Sequence, residues 1–359
     1  MNYEKLITKH VQKLVPYQSA RRIGGHGHNF LNANESPMSE GYFLNSSSLN
    51  RYPECQPEEL VERYADYAGV HKTQVIATRG SDEAIGLIVR TFCEPGVEGI
   101  LIAPPTYGMY EVAANTNDAL VAVAERNDDF SLDAQHLIDG VKKASFTVKA
   151  VFIDSPANPL GIVFPKDELI KLLKALPDTL IVLDEAYIEF ANKEDDLTYL
   201  VNEYENLIVT RTLSKAFALA GIRCGFAIAN ENLIKAMLKV IDPYPICDPV
   251  AQIAVQALSD HGVEMTKERA LKCNERREKL EADLKALPFV RKIFVSFGNF
   301  LLVEFTDGPA VFNAMAQKGV ILRSFETKKG LKNCVRISIG SEAELEELMR
   351  YLKGTGDLI

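Results

Sequence analysis

Residues 150–161 read AVFIDSPANPLG, residues 180–187 read LIVLDEAY, and residues 207–225 read LIVTRTLSKAFALAGIRCG. Each stretch opens on a short, almost wholly apolar run rich in β-branched residues and then turns polar. Such runs suit strands buried on both faces, the condition of a parallel sheet covered by helices. Working outward, VIAT (75–78), ILIA (100–103) and GFAIA (225–229) have the same character. Segments with helical periodicity, such as SDEAIGLIVRTFC and KDELIKLLKAL, lie between several of them. The alternation predicts an α/β domain with a mostly parallel sheet. Ligands of open sheets in this class bind at the carboxyl ends of the strands. The residues just after each run are therefore the candidates for chemistry.

Asn158 follows the first run, Asp184 closes the second with Tyr187 just beyond, and Ser214, Lys215 and Arg223 follow the third. After VIAT comes RGSDEA, with a helix beginning near Ser81 and Asp82. A helix start preceded by glycine offers free backbone N–H groups and a favourable dipole to an anion, but the plainer reading of Ser81 on its own is a simple N-cap. Taken singly, each residue has an ordinary structural explanation: Asn158 before a proline is a turn residue, Asp184 a strand-end cap, Lys215 a surface lysine. Their conjunction at successive strand ends is what points to one site.

Composition narrows the classes. The chain has 359 residues, 47% hydrophobic and 25% charged, as a globular protein does, and its length favours one large domain plus a smaller one. A net charge of −9 argues against a nucleic-acid partner. The opening MNYEKLITKHVQKLVPY lacks the apolar core of a secretory signal, and no stretch reaches the 18 apolar residues of a membrane span. Six scattered cysteines, without a C-x-x-C pair or zinc-like spacing, read as reduced thiols of a cytoplasmic protein. His26 and His28 in GGHGH read as a solvated glycine loop, with no metal.

Along the chain, residues 1–30 read as an arm containing a short amphipathic helix, 31–245 as the large domain, and 246–359 as a smaller α+β domain. The division falls in the proline-rich DPYPICDP (242–249). The smaller part is predicted to hold a long charged helix over about 249 to 287, broken near Gly262. Strands in FGNFLLVEF, VILRS and CVRISIG follow, with helices around AVFNAMAQ and SEAELEELMRYLKG.

The pattern NP-x-G at Asn158, D-E-A-Y at Asp184 and S-K-x-x-x-x-x-G-x-R at Ser214 resembles the fold-type I pyridoxal-phosphate (PLP) aminotransferases. With PYQSARR, LNANE, RYPECQP, PPTYGMY, DEAYIEF and VRISIG added, the chain is similar to the histidinol-phosphate aminotransferase family from about Val11 to Gly340. The resemblance implies a fold-type I PLP-dependent transferase: a mostly parallel seven-stranded sheet flanked by helices, with a smaller α+β domain. It implies a homodimer, with L-histidinol phosphate and 2-oxoglutarate or L-glutamate as substrates. By the same resemblance Lys215 carries the cofactor as a Schiff base and moves the substrate proton. Asp184 pairs with the ring nitrogen, Asn158 and Tyr187 bond the ring's 3′ oxygen, and Tyr107 stacks on the ring. Ser81, Asp82, Ser214 and Arg223 hold the phosphate, joined by Tyr52 from the neighbouring subunit. Arg336 and Arg323 take the anionic ends of the substrates, and Tyr17 closes over the imidazole.

The chain departs from the family's N-N-P-T-G loop at Ala157 and Leu160. Whatever the missing Asn and Thr bond must be lost or replaced, with a modest effect expected on loop rigidity. An aminotransferase for aromatic amino acids, or a PLP decarboxylase of an amino-acid phosphate, stands as the alternative enzyme. Arg323 is the residue that discriminates between them. A non-catalytic PLP sensor would need an appended DNA-binding module, for which the chain has no room.

Overall fold

The computed structural model describes residues 3–16 and 26–354. After β1 (Asn29–Phe30), seven strands make the large sheet: β2 (Val75–Thr78), β3 (Glu98–Ile102), β4 (Leu120–Val123), β5 (Thr147–Asp154), β6 (Leu180–Asp184), β7 (Leu207–Thr212) and β8 (Gly225–Ala229). Their order is β2-β8-β7-β6-β5-β3-β4, and only β8 runs against the rest. The central strands are buried along nearly their whole length, as their two-sided apolar runs require.

Six helices cover this sheet: α1 (Glu58–Ala68), α2 (Ser81–Phe92), α3 (Met109–Thr116), α4 (Ala134–Lys143), α5 (Lys166–Ala175) and α6 (Glu231–Met237). One apolar core joins Leu60, Leu137, Leu169 and Leu172 to Val151, Leu183 and Val209. A second lies on the other face, where Ile85, Ile88 and Tyr110 meet Ile100, Phe152 and Val182. Alternate residues of β5 thus point into opposite cores, the period-2 consequence of strand geometry. The edge strand β4, LVAV, is half-exposed and carries no sharp pattern, so periodicity alone passes over it.

The remainder starts with α7 (Asp248–Ala257) and α8 (Asp260–Lys285). The predicted single helix is broken at Leu258 and Ser259, a little before Gly262: the Ser259 hydroxyl caps α8 by accepting from Gly262 N at 3.2 Å. Gly262 is needed for close approach, since a Cβ there would stand 2.3 Å from the Ala257 carbonyl oxygen. Then follow β9 (Val290–Ile293), β10 (Phe300–Phe305), α9 (Gly308–Gln317), β11 (Val320–Ile321), β12 (Arg323–Ser324), β13 (Cys334–Ser338) and α10 (Glu342–Lys353). Strands β12-β13-β10-β9 form an antiparallel sheet packed on α8, α9 and α10 through Leu280, Val311 and Leu348. Core packing does not change hands at 245: Ile246, Ala254, Ala257 and Leu258 still belong to the large-sheet core.

The arm differs from its sequence reading. Among the described residues 3–16 there is no amphipathic helix but two 3-10 turns, Tyr3–Leu6 and Val11–Lys13, neither burying a residue. Further on, β1 pairs in parallel with β11, and Ser338 N donates to Leu31 O at 3.0 Å. The segment from Asn29 to Asn34 is thereby fastened to the smaller sheet. His28 meets Glu347, with Nε2 3.1 Å from Oε1.

Candidate active site

The carboxyl ends of β5, β6 and β7 open on one cleft of about 560 Å³, a volume suited to a small organic ligand. Lys215 lies three residues beyond β7, and its Nζ donates to Ala33 O at 2.9 Å, 5.6 Å from the centre of the Tyr187 ring. Asp184, the last residue of β6, is buried; its Oδ2 accepts from the Tyr110 hydroxyl at 2.8 Å and its Oδ1 from Ala186 N at 3.2 Å. Burial pushes its carboxyl up to about 7, against the pull of the Tyr110 hydrogen bond and with a further push from Asp154. Among the described residues no basic side chain forms an ion pair with it. A buried carboxylate that accepts two hydrogen bonds and has no paired cation among the described residues is matched to a ligand that brings a positive charge.

Tyr187 lies beneath this carboxylate's strand end. Its hydroxyl oxygen accepts from Asn34 Nδ2 at 3.0 Å and from Asn158 Nδ2 at 3.3 Å. Two acceptances use both lone pairs, so the Tyr187 proton is left to donate. Asn158 also accepts from Arg336 Nη1 on β13, while Arg336 Nη2 donates to Asn32 O at 2.7 Å. Arg336 is buried, with its guanidinium 5.4 Å from the Phe300 ring centre. Thus β13 of the smaller sheet reaches the same cleft as the large sheet.

The other end is built for an anion. Helix α2 starts at Ser81, and its N-cap is Gly80, so Ser81 is the first helical residue rather than the cap. Gly80 has φ +78°, which calls for glycine, and the Arg223 guanidinium packs close, its Nη2 2.6 Å from where a Cβ would stand. The first N–H groups of a helix have no intrahelical acceptor. Beside them Arg223 Nη1 donates to Ser214 Oγ at 3.2 Å, and Nη2 to Asp82 Oδ2 at 3.1 Å. Asp82 therefore contributes a carboxylate as well as a backbone donor, and its Oδ1 accepts from the Tyr107 hydroxyl at 2.8 Å.

Arg323, on β12, lines the cleft with Nη1 buried and without a hydrogen-bond partner among the described residues. Tyr52 does not line it: 81% exposed, it stacks on Tyr244 with ring centres 4.5 Å apart. Tyr17 lies outside the described residues. Sequence reasoning missed Tyr110, Asn34 and Asp154. Tyr110 and Asn34 stand inside motifs already singled out, PPTYGMY and LNANE, but their partners are dozens or more residues away.

Behind the cleft, Arg211 of β7 is buried against Glu185, Asp196 and Thr198, with Nη2 2.7 Å from Glu185 Oε2 and from Asp196 Oδ1. Removing one member of such a cluster would strand a buried charge; through it β7 is tied to Glu185, the residue next to Asp184.

The site can hold a flat phosphate ester bearing a cationic ring. The α2 start with Ser214 and Arg223 suits the phosphate, Asp184 the cation, Tyr107 a ring face, and Lys215 a carbonyl carbon to condense with. Comparison with known proteins agrees. Residues 29–352 match the family described as aminotransferase class I and II. The chain is 49% identical over 358 residues to the histidinol-phosphate aminotransferase of Aeromonas salmonicida, covering 98% of both chains. It is 46% identical over 351 residues to that of Vibrio campbellii, covering 98% of this chain and 99% of the relative. In fold it is similar to the histidinol-phosphate aminotransferase from Sinorhizobium meliloti in complex with pyridoxal-5′-phosphate (TM-score 0.85, 23% identity, 98% of each chain covered). On these matches the chain belongs to the class I and II aminotransferases, within the histidinol-phosphate aminotransferase family.

Proposed function

We propose that this chain is a PLP-dependent aminotransferase that exchanges an amino group between L-histidinol phosphate and 2-oxoglutarate, giving imidazole-acetol phosphate and L-glutamate in L-histidine biosynthesis. PLP, when bound, supplies an electron sink for the carbanion that forms at the substrate's α carbon. The rest is the work of side chains. Lys215 would hold the cofactor through its amine, and the same amine would be the base that takes and returns the substrate's α proton. Asp184 balances the ring nitrogen's charge, Tyr187 and Asn158 face the ring oxygen, and Tyr107 covers a ring face. Ser81, Asp82, Ser214 and Arg223 hold the phosphate.

The observation that carries the substrate assignment is Arg323, whose buried Nη1 has no hydrogen-bond partner among the described residues, in the same cleft as Arg336 and Lys215. A buried guanidinium donor left unpaired is costly; the phosphate of a phosphate-bearing substrate gives Arg323 an acceptor, whereas an aromatic amino acid has only its one carboxylate to divide between Arg323 and Arg336. Arg336 serves the carboxylate of glutamate in the other half-reaction.

Two further readings belong with this one. The chain works as a homodimer in which Tyr52 reaches its neighbour's phosphate site, supported by the exposure of Tyr52, Met38, Phe43 and Leu49 on one stretch of chain. It works in the cytoplasm, in keeping with six unpaired cysteines. The domains divide near the start of α8, with the segment from Asn29 to Asn34 tied to the smaller one. The test is an assay with PLP, histidinol phosphate and 2-oxoglutarate: glutamate must appear, and Lys215→Ala must abolish it. Release of carbon dioxide without need of 2-oxoglutarate, or turnover of tyrosine in preference to histidinol phosphate, would transfer the chain to a rival activity.

A further inference from the structure

The loop that carries Asn158 has Ala157 and Leu160 on either side of the Asn158-Pro159 pair. Both are buried, and they pack on Leu302, Leu331 and Cys334 of the smaller domain, so they add apolar contact but no hydrogen bond from their side chains. The polar anchor of the loop comes from elsewhere. Asp154, the last residue of β5, is 4% exposed. Its Oδ2 accepts from Asn158 N at 2.8 Å and from Tyr107 N at 3.2 Å, and its Oδ1 accepts from the Thr106 hydroxyl at 2.8 Å. Arg126, equally buried, holds Nη2 3.9 Å from Oδ1 and is itself fixed by a 2.9 Å bond from Nε to Ala103 O.

One carboxylate thus fastens two loops that are far apart in sequence, one presenting Tyr107 and the other Asn158. In the sheet register Asp154 sits beside Asp184 on the neighbouring strand. The three groups that face a bound ring from its face, its oxygen side and its nitrogen side are all within one or two links of this side chain. We propose that Asp154 is a positioning residue for transamination: its hydrogen bonds, rather than its charge, hold Tyr107 and Asn158 in register with Asp184.

The inference rests on the PLP aminotransferase reading, and the experiment separates the two. Asp154→Asn removes the charge that faces Arg126 but can keep all three hydrogen-bonded contacts, with the amide oxygen accepting from both backbone N–H groups and the Thr106 bond reversed so that the amide nitrogen donates to the hydroxyl. Asp154→Ala keeps none, and Thr106→Val removes one while leaving the carboxylate. PLP dissociation constants and the visible circular dichroism of bound PLP are measured for the wild type and all three variants, with the melting temperature of each apoprotein as a check on folding. The expected order is wild type within about threefold of Asp154→Asn, then Thr106→Val, then Asp154→Ala at least about tenfold weaker and with a diminished dichroic band, since loss of about one charge-assisted hydrogen bond is a tenfold or greater effect. Asp154→Asn as damaging as Asp154→Ala would show that the charge acts and overturn the proposal, as would Asp154→Ala binding like the wild type. If Asp154→Ala fails to fold, Thr106→Val against Asp154→Asn decides: Thr106→Val must be the weaker binder. A wild-type protein that takes up no PLP would instead sink the aminotransferase reading itself.

Discussion

Tyr110→Phe isolates one hydrogen bond to the carboxylate on which the cofactor's charge depends. The phenyl ring keeps the stack on Phe152, at 5.0 Å between ring centres, and the edge contact with Tyr107 at 5.7 Å. What is lost is the hydroxyl that donates to Asp184 Oδ2 at 2.8 Å. Tyr110 is itself an assured donor, because burial, with the charges of Asp184 and Asp154, holds its pKa well above the ordinary tyrosine value. A hydrogen bond to a charged group contributes about 1.5–3 kcal/mol, and each pKa unit corresponds to about 1.4 kcal/mol. Removing it should therefore raise the proton affinity of Asp184 by about one to two units from a starting point of about 7. The assay is carbon-13 NMR of apoprotein labelled at aspartate side-chain carboxyls, with the Asp184 resonance assigned by its loss in Asp184→Asn. The same shift should appear functionally, as PLP affinity that falls away at higher pH in Tyr110→Phe than in the wild type. An Asp184 midpoint that stays put or moves down in Tyr110→Phe would refute the reasoning.

Three other outcomes follow from the same geometry. Because the folded pKa of Asp184, about 7, lies above its ordinary value of 3.8, its contribution to apoprotein stability is fully present below pH 4 and is lost as pH rises to 7. Asp184→Asn should thus melt higher than the wild-type apoprotein at pH 8, by at most about 4 kcal/mol in stability, while losing turnover; denaturant titrations at pH 5 and pH 8 check both sign and size. Arg323→Met should lower kcat/KM for histidinol phosphate about 10- to 100-fold and leave the glutamate half-reaction within about threefold, read from stopped-flow traces of each half-reaction. Mixing inactive Lys215→Ala with Tyr52→Ala and allowing the subunits to exchange should restore roughly a quarter of wild-type activity, since a hybrid dimer has one site with both residues intact; no restoration would remove Tyr52 from the neighbour's site.

What could be read in advance was set by the range of the interactions involved. The parallel core was legible because β5, β6 and β7 are buried on both faces and so carry unbroken apolar runs. Strand β4 was not, because an edge strand of four half-exposed residues has no such constraint. Lys215, Asp184 and Asn158 could be placed because a strand end fixes its own next residues. Tyr110 and Asp154 could not: Tyr110 bonds a residue 74 positions away, and Asp154 joins its local bond to Asn158 N with contacts 47–48 positions away, which only the assembled sheet creates. Asp154 was hidden further by ending an apolar run, where it reads as a simple terminator. The start of the arm showed the opposite failure, a helical pattern where the described residues 3–16 bury no side chain and form two 3-10 turns.

The central claim, that PLP on Lys215 accepts the amino group of histidinol phosphate, is tested most directly by the absorbance spectrum of the purified holoprotein before and after adding histidinol phosphate with no keto acid. The account predicts a yellow protein whose visible band is lost as a shorter-wavelength band grows, with Lys215→Ala failing to make the change and 2-oxoglutarate restoring the yellow form in the wild type. A yellow protein that histidinol phosphate leaves unchanged would contradict the donor, and one that stays colourless with added PLP would contradict the whole account.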